Sequence, residues 1–263
     1  MQVKILTAAL AAMGSLCAFS SAAQAQDEAA EKWSVTITPR YQQLFFDASG
    51  GEGDAITSMP TYGGSVAVRT PDTRWGVMAT YLTGDKKGDY EYDNGPSVYK
   101  FDAEREEYSL TGEYTPSETG ITLLFGYRHF KAGADEVLTN PLPGNSETNS
   151  NTYKIDAAEI GFRLSSRLGV ESSQSLSAQF TVGIGGGKLN RSEVEVFGTG
   201  TNSDIRKDSG TGYTGEMAIG YNIFLTNNLS LGARARAYIF YVDVSDADPI
   251  FALAPEANLS FRF

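Results

Sequence analysis

The feature of this sequence that most constrains its fold is a strict alternation of apolar and polar residues, and residues 255–263 show it clearly. Ala257, Leu259, Phe261 and Phe263 fall at every second position, with polar residues between them. Because successive side chains of a β-strand point to opposite faces, this pattern predicts a strand with one apolar and one polar face. Alternation alone fits either a soluble β-sandwich or a membrane barrel, so the positions of the charges must decide between them.

The same alternation recurs in ten segments of about ten residues, the length that a tilted strand needs to cross a bilayer. Short turns separate some of these segments, and longer polar stretches separate the others. The long stretches, predicted as loops, cover about 47–60, 83–105, 131–152, 189–211 and 242–250. The predicted fold is therefore all-β, a single antiparallel up-and-down β-barrel of about ten strands. Pro39 lacks a backbone N–H and predicts a local bulge in the first strand.

The charged residues of the predicted strands fall on the polar face, opposite the apolar one. This set comprises Arg40, Arg69, Glu107, Glu113, Arg128, Glu159, Arg163, Glu216, Arg234, Arg236, Glu256 and Arg262. A charge facing lipid at the bilayer midplane costs roughly 2–4 kcal/mol, whereas a soluble sandwich would carry its charges outside and be dry within. The positions of the charges therefore favour a barrel with lipid outside and a charged lumen.

Inside a narrow barrel these charges are expected to pair, since an isolated buried charge is costly. Arg234 and Arg236 occupy adjacent inward positions of the ninth strand, and we expect them to share Glu216 and Glu256 on the flanking strands. Two interpretations of the lumen are open. The network either fills and rigidifies the barrel, or it forms a constriction in a narrow water-filled pore.

Aromatic residues at the strand ends predict two girdles at the membrane interfaces. One consists of Trp33, Trp75, Tyr114, Tyr221 and Phe263, and the other of Tyr41, Tyr62, Tyr81, Tyr108, Tyr127 and Tyr213.

The N-terminus predicts a secretory signal peptide over residues 1–25, followed by the barrel over 26–263. Lys4 precedes an apolar run, and Ala23-Gln24-Ala25 supplies the small residues of a cleavage site. The run is shorter than the roughly 20 apolar residues of a transmembrane helix. Cys17 is the only cysteine and lies in the leader, so we expect no disulfide or thiolate site in the mature chain.

The terminal Phe263, after alternating Leu259 and Phe261, resembles the closing strand of bacterial outer-membrane β-barrels. The resemblance implies a Gram-negative outer membrane, termini on the periplasmic side, and long loops outside. It also implies that Leu259, Phe261 and Phe263 serve as an assembly signal for the outer-membrane assembly machinery. The other implied partners are outer-membrane lipid and lipopolysaccharide, and the sequence leaves the oligomeric state open.

Function is less constrained than fold. The formal net charge of −11 argues against nucleic-acid binding, which needs Lys and Arg at the phosphates. The sole histidine, His129, is predicted at the outward membrane rim, where some lipid-modifying barrels carry a catalytic His and Ser. Lys131 stands where such a Ser would be, and the sequence near it offers no nucleophile–base set.

The sequence therefore predicts a non-enzymatic barrel with no cofactor and no metal, a plugged Arg/Glu lumen, and surface loops for envelope or surface interactions. The first alternative is a narrow porin-like channel for small solutes. A second is a lipid-modifying or proteolytic enzyme, although the likeness to the ten-stranded omptin proteases is limited to strand number.

Overall fold

The computed structural model describes residues 33–47, 56–91, 98–116, 120–139, 145–169, 173–198, 200–245 and 247–263. Its strands are β1 (Ser34–Asp47), β2 (Ile56–Arg69), β3 (Trp75–Glu91), β4 (Val98–Tyr114), β5 (Ile121–Thr139), β6 (Ser146–Leu168), β7 (Gln174–Phe197), β8 (Gly200–Thr226), β9 (Leu229–Asp243) and β10 (Ile250–Arg262). Each strand pairs with its neighbour in the chain, and β1 pairs with β10. The predicted ten-stranded barrel is confirmed. The predicted signal peptide lies outside the described residues.

The seam between β1 and β10 closes the sheet. All pairs are antiparallel, and the amide and carbonyl of Val35 exchange hydrogen bonds of 3.1 and 2.9 Å with those of Phe263. Closure leaves no unpaired edge in the part of the sheet where all ten strands pair, which is the condition for a sheet to lie in hydrocarbon, where water is not available to the backbone. The C-terminal alternation that predicted a strand therefore also completes the barrel. None of the described residues forms a helix long and apolar enough to cross a membrane.

An apolar band covers the outside of the barrel. Its exposed members include Ile37, Val66, Val77, Leu110, Leu123, Phe125, Ile160, Val182, Ile219, Leu231, Ile239 and Leu253. Paired aromatics border it: the ring centroids of Trp75 and Tyr114 lie 4.4 Å apart at one border, and those of Tyr41 and Tyr62 lie 5.4 Å apart at the other. A continuous exposed apolar surface of this kind is favourable only against lipid. The barrel is therefore built to span a bilayer.

The strands extend much further than the sequence predicted. The predicted loops 83–105, 131–152 and 189–211 are wrong over most of their length, because strands β3 to β8 continue through them. The loops 47–60 and 242–250 are also shorter than predicted. Strand β8 has 27 residues, against the roughly ten that cross a bilayer. Apolar alternation reports contact with lipid, whereas the hydrogen-bonded ladder continues beyond the lipid, so the pattern underestimates strand length.

The longest strands form a projection, here called the extension, made of residues 146–154, 188–197 and 200–209 of β6, β7 and β8. At the opposite end, the turn end, the chain turns at 70–74 and 227–228 and the described chain begins and ends. In the first of these turns the Asp72 carboxylate accepts hydrogen bonds from the Thr70 hydroxyl and the Arg74 amide. These two donors hold the pKa of Asp72 below its usual value.

The predicted bulge at Pro39 is wrong. Pro39 pairs in continuous register with Gly64 of β2, and the register with β10 is the same on either side of it. Among the described residues the pairing shifts only between Phe224 and Thr226. A missing N–H removes one ladder hydrogen bond but adds no residue to the strand, so the register is unchanged.

The half of the lumen nearer the extension is filled by apolar side chains, a feature the sequence reading did not predict. This apolar layer consists of Leu44, Met59, Phe101, Ala103, Phe130, Ile155, Ala157, Tyr238, Phe240, Val242, Ala252 and Ala254. Phe130 and Phe240 face each other across the lumen with their rings stacked, at 3.6 Å between centroids and 4° between planes. Residues of the layer are at most 9% exposed. The barrel therefore has a dry core of its own at this level.

The apolar band can be tested with one matched pair of substitutions. Ile160 and Ile205 are 67% and 65% exposed, but Ile160 lies in the band and Ile205 in the extension. We expect Ile160→Arg to lower the free energy of unfolding in lipid vesicles by about 2–4 kcal/mol, because the charge enters hydrocarbon. Ile205→Arg is the control and should change it by less than about 0.5 kcal/mol. Equal effects would contradict the position of the membrane.

Candidate functional site

The charged side chains inside the barrel form a central cluster next to the apolar layer. Its members are Arg40, Arg105, Glu107, Arg128, Glu159, Glu216, Arg236 and Glu256, each at most 8% exposed. Seven of the eight belong to the set that the sequence placed in the lumen, and Arg105 is the addition. The alternation of the strands directs all of them inward, and the narrow lumen brings strands that are not neighbours within side-chain reach.

Arg128 of β5 is the hub of the central cluster. Its Nη1 donates to Glu107 at 3.0 Å and its Nη2 to Glu216 at 2.6 Å, while its Nε lies 2.8 Å from Glu159. Glu216 lies on β8, three strands away, so this guanidinium joins two strands that are not neighbours. A planar guanidinium with five donors suits such a position, and it keeps its charge when buried.

Arg236 of β9 is the second bridging arginine. It donates through Nη1 to Glu216 and through Nε to Glu256 at 2.8 Å. Neutral side chains donate further hydrogen bonds to the carboxylates. Gln42 donates to Glu256 at 2.7 Å, and Thr214 donates to Glu159 at 2.6 Å. Each glutamate of the central cluster thus has at least one arginine, which is what the burial of a carboxylate requires.

Arg105 joins the central cluster to the apolar layer. Its Nη2 donates to Glu107, and its guanidinium carbon lies 4.9 Å from the ring centroid of Tyr238 and 5.7 Å from that of Phe130. Cationic groups over aromatic faces are attracted to them. The sequence reading missed Arg105 because it fell at the edge of the predicted loop 83–105. Its spacing of two residues from Glu107 is the signal that would have placed it inward.

A second, smaller cluster lies nearer the turn end. Glu113 of β4 accepts from Arg69 of β2 at 2.8 Å and from Arg163 of β6 at 2.9 Å. Glu113 is 3% exposed, whereas the side chain of Arg69 is 43% exposed. This cluster therefore lies where the lumen begins to open. Arg262, predicted to point into the lumen, is exposed at the end of β10 and makes no ion pair with any described residue.

The predicted role of Arg234 is wrong. It stands opposite Glu256 in the backbone register, yet no carboxylate among the described residues lies within 4.0 Å of it, and Arg236 takes both Glu216 and Glu256 instead. Side chains in a sheet reach diagonal neighbours as well as direct ones, so register alone does not assign partners. Arg234 lies flat over Gly220, where a Cβ atom would come within 2.9 Å of its Cγ.

A small cavity of about 30 Å³ lies within the charged part of the lumen. Arg40, Arg128, Arg234 and Arg236 line it together with Glu107, Glu159, Glu216 and several hydroxyl-bearing side chains. A volume of this size holds about two water molecules. Among the described residues no cluster of three or more His, Cys, Asp or Glu is arranged to hold a metal ion.

His129 lies on the outer face, at the aromatic girdle that contains Tyr108 and Tyr127. Its ring stacks on Tyr108 at 4.4 Å between centroids, and its Nδ1 lies 2.7 Å from Asp156. Tyr127 donates its hydroxyl to the same carboxylate oxygen at 2.5 Å. The sequence reading did not identify Asp156 as a partner, because it is 27 residues away in the chain. The group has a base and a carboxylate to orient it, but the side chains that contact them are tyrosines rather than a Ser or Cys nucleophile.

The two adjacent arginines of β9 give a direct test of the network. We expect Arg236→Ala to lower the free energy of unfolding by about 3–5 kcal/mol, because Glu216 and Glu256 lose their shared buried partner. Arg234→Ala should cost less than about 1 kcal/mol, since it breaks no ion pair. Urea unfolding in lipid vesicles measures both, and equal losses would contradict the pairing. Adding Glu216→Ala to Arg236→Ala should recover part of the loss.

No family model matches the sequence, and no curated protein matches it. Solved structures match the fold. The outer membrane protease OmpT from Escherichia coli is 10% identical over 89% of this chain and 97% of its own, with a TM-score of 0.53. The translocator domain of the autotransporter NalP from Neisseria meningitidis is 11% identical over 98% and 97%, with a TM-score of 0.46.

The attachment invasion locus protein Ail of Yersinia pestis is 13% identical over 88% of this chain and 99% of its own, with a TM-score of 0.34. At these identities the likeness concerns the fold alone, and of the three only OmpT is similar enough in structure to support it. Because one fold can host many unrelated activities, the likeness to a protease leaves the activity of this chain open. By its architecture this chain has the fold of the bacterial outer-membrane β-barrels.

Proposed function

We propose that this chain is a non-enzymatic protein of the Gram-negative outer membrane, with a closed lumen and with the extension projecting from the cell surface. The observation that carries the proposal is the apolar layer stacked on the central cluster. Phe130 and Phe240 meet across the lumen, and Ile155 and Val242 beside them are completely buried. A path for water or solutes through the barrel would have to displace this packing.

The pairing inside the central cluster supports the same proposal. A conducting lumen keeps its charges hydrated, whereas here the arginines and glutamates bond one another, between adjacent strands and across the lumen. Open porins have 16 or more strands, and a ten-stranded barrel leaves room for side chains but little else. The cavity of about 30 Å³ is correspondingly small. The central cluster thus cross-links the strands and restricts the barrel to one shape.

The surroundings of His129 support a non-enzymatic role. Its ring is 6% exposed and covered by Tyr108, so a substrate has little access to its base nitrogens. The likeness to a protease extends to the fold alone. Tyr127, His129 and Asp156 together form a polar, hydrogen-bonded anchor at the membrane interface, where amphipathic aromatic residues are favoured.

A row of lysines on the outer face supports a further part of the proposal, contact with lipopolysaccharide. Lys131 pairs in register with Lys154, and Lys154 with Lys188, on three adjacent strands just beyond the girdle. Lys131 has a carboxylate partner, Glu104, at 2.7 Å, whereas Lys154 and Lys188 are exposed. Like charges directly opposite each other repel. Phosphates of the outer leaflet at this height would offset the repulsion and bind the ammonium groups.

Planar-bilayer recording tests the closed lumen. We expect the refolded protein to give no stable openings, because the apolar layer seals it. Phe130→Ala combined with Phe240→Ala should produce intermittent openings, whereas the outward pair Phe125→Ala and Phe251→Ala should stay closed. Reproducible openings of fixed size in the unmodified protein would favour the narrow channel and overturn the proposal.

Native mass spectrometry with lipid A tests the lysine row. We expect the double variant Lys154→Gln and Lys188→Gln to bind phosphorylated lipid A at least about tenfold more weakly, since each lysine near an anionic surface contributes about 1 kcal/mol. Dephosphorylated lipid A should bind both forms alike. Lys87→Gln with Lys207→Gln removes two exposed charges elsewhere and is the control. An equal loss in the control pair would assign the effect to net charge.

A further inference from the structure

The lumen holds more arginines than glutamates, and the excess positive charge can be assigned to one residue, Arg234. The central cluster together with Arg234 has five arginines and four glutamates. Eight of these nine groups make an ion pair within 4.0 Å, and Arg234 is the one that makes none with a described residue. Arg234 is half-buried with its Nε enclosed, and a guanidinium does not lose its proton to escape burial, so its charge has to be compensated in another way.

Unpaired donors converge on the cavity beside Arg234. The Nε atoms of Arg234 and Arg40 and the hydroxyl of Thr181 are buried without a hydrogen-bond partner, and all three residues line the same cavity. Arg40 comes no closer to Glu256 than 4.0 Å at this nitrogen. Buried donors without acceptors are rare in folded proteins, and a bound water molecule or ion is one explanation for them. Here a cationic surplus and unpaired donors occur at one place.

We propose that this cavity binds one small monovalent anion of the size of chloride, held by Arg234, Arg40 and Thr181. The three glutamates that line the cavity, Glu107, Glu159 and Glu216, do not oppose it, because the four arginines in the same lining outnumber them and leave one net positive charge. Water would satisfy the donors but would leave the charge of Arg234 uncompensated. The volume of about 30 Å³, which holds about two water molecules, suits a monatomic anion better than a phosphate-bearing solute.

The position of the cavity sets the route to it. The apolar layer closes the lumen on the side of the extension, while on the turn side Arg69 and Arg262 are partly or fully exposed. Arg69 and Arg163 share the single carboxylate of Glu113, and Arg262 makes no ion pair with a described residue, so this end keeps a positive charge that raises the local concentration of anions. The anion therefore enters from the turn end. The inference does not depend on the protein's role at the cell surface.

Thermal unfolding in detergent tests the anion site. At constant ionic strength, replacing sodium gluconate by sodium chloride or bromide should raise the unfolding midpoint by a few degrees and saturate, because only the folded state binds the anion. Arg234→Gln should abolish this rise. Arg206→Gln removes an exposed arginine of the extension and should leave the rise intact. Identical curves in gluconate and chloride would overturn the proposal.

Bromide in crystals of the unmodified protein gives an independent test, which stands even if Arg234→Gln does not fold. We expect one anomalous scattering peak inside the barrel, within contact distance of Arg234 and Arg40. Density for water alone at this position, with no anomalous signal, would overturn the anion site while leaving the closed lumen untouched. Conductance and anion binding are thus decided by separate measurements.

Discussion

The whole structure depends on the inability of hydrocarbon to form hydrogen bonds or to solvate charge. A chain in lipid must pair every backbone group internally, and β1 and β10 achieve this by closing the sheet. The same constraint directs every strand-centre charge inward, where a narrow lumen offers no bulk water. Each inward charge then needs an opposite charge, and the arginine-centred network follows from that need.

Two groups of side chains, the apolar layer and the central cluster, fill the lumen, and they stabilise it in different ways. The apolar layer around Phe130 and Phe240 contributes close packing and excludes water. The central cluster contributes directional bonds, with Arg128 joining β5 to β8 across the barrel. Arg105 links the central cluster to the apolar layer, since its guanidinium forms an ion pair with Glu107 and lies over the ring of Tyr238. A barrel filled in this way is rigid in its membrane-spanning part, which suits a support for the extension.

The sequence was sufficient to predict the barrel, because the rule that places Leu110 toward lipid and Glu107 toward the lumen is local and has a period of two. The strand ends were mispredicted because that rule applies only where lipid is present. Arg105 was missed for the same reason, at the edge of a segment read as a loop.

The ion-pair partners of Arg234 and Arg236 could not be predicted from the sequence, because a long side chain can reach several direct and diagonal neighbours in the sheet. The apolar layer was overlooked although Phe130 and Phe240 stand at inward positions. The pattern of charges does not predict this layer, because the stacking of two residues 110 positions apart depends on how the barrel curves.

Thiol labelling in intact cells tests most directly whether the lumen is sealed from the extension side. The chain's only cysteine is Cys17, in the predicted leader, so single cysteines report without interference. Ser109 lines the cavity beneath the apolar layer, and Ser203 is exposed on the extension. A sealed lumen predicts that a membrane-impermeant reagent added outside modifies Ser203→Cys rapidly and leaves Ser109→Cys unmodified. Comparable labelling rates at both positions would contradict a closed barrel.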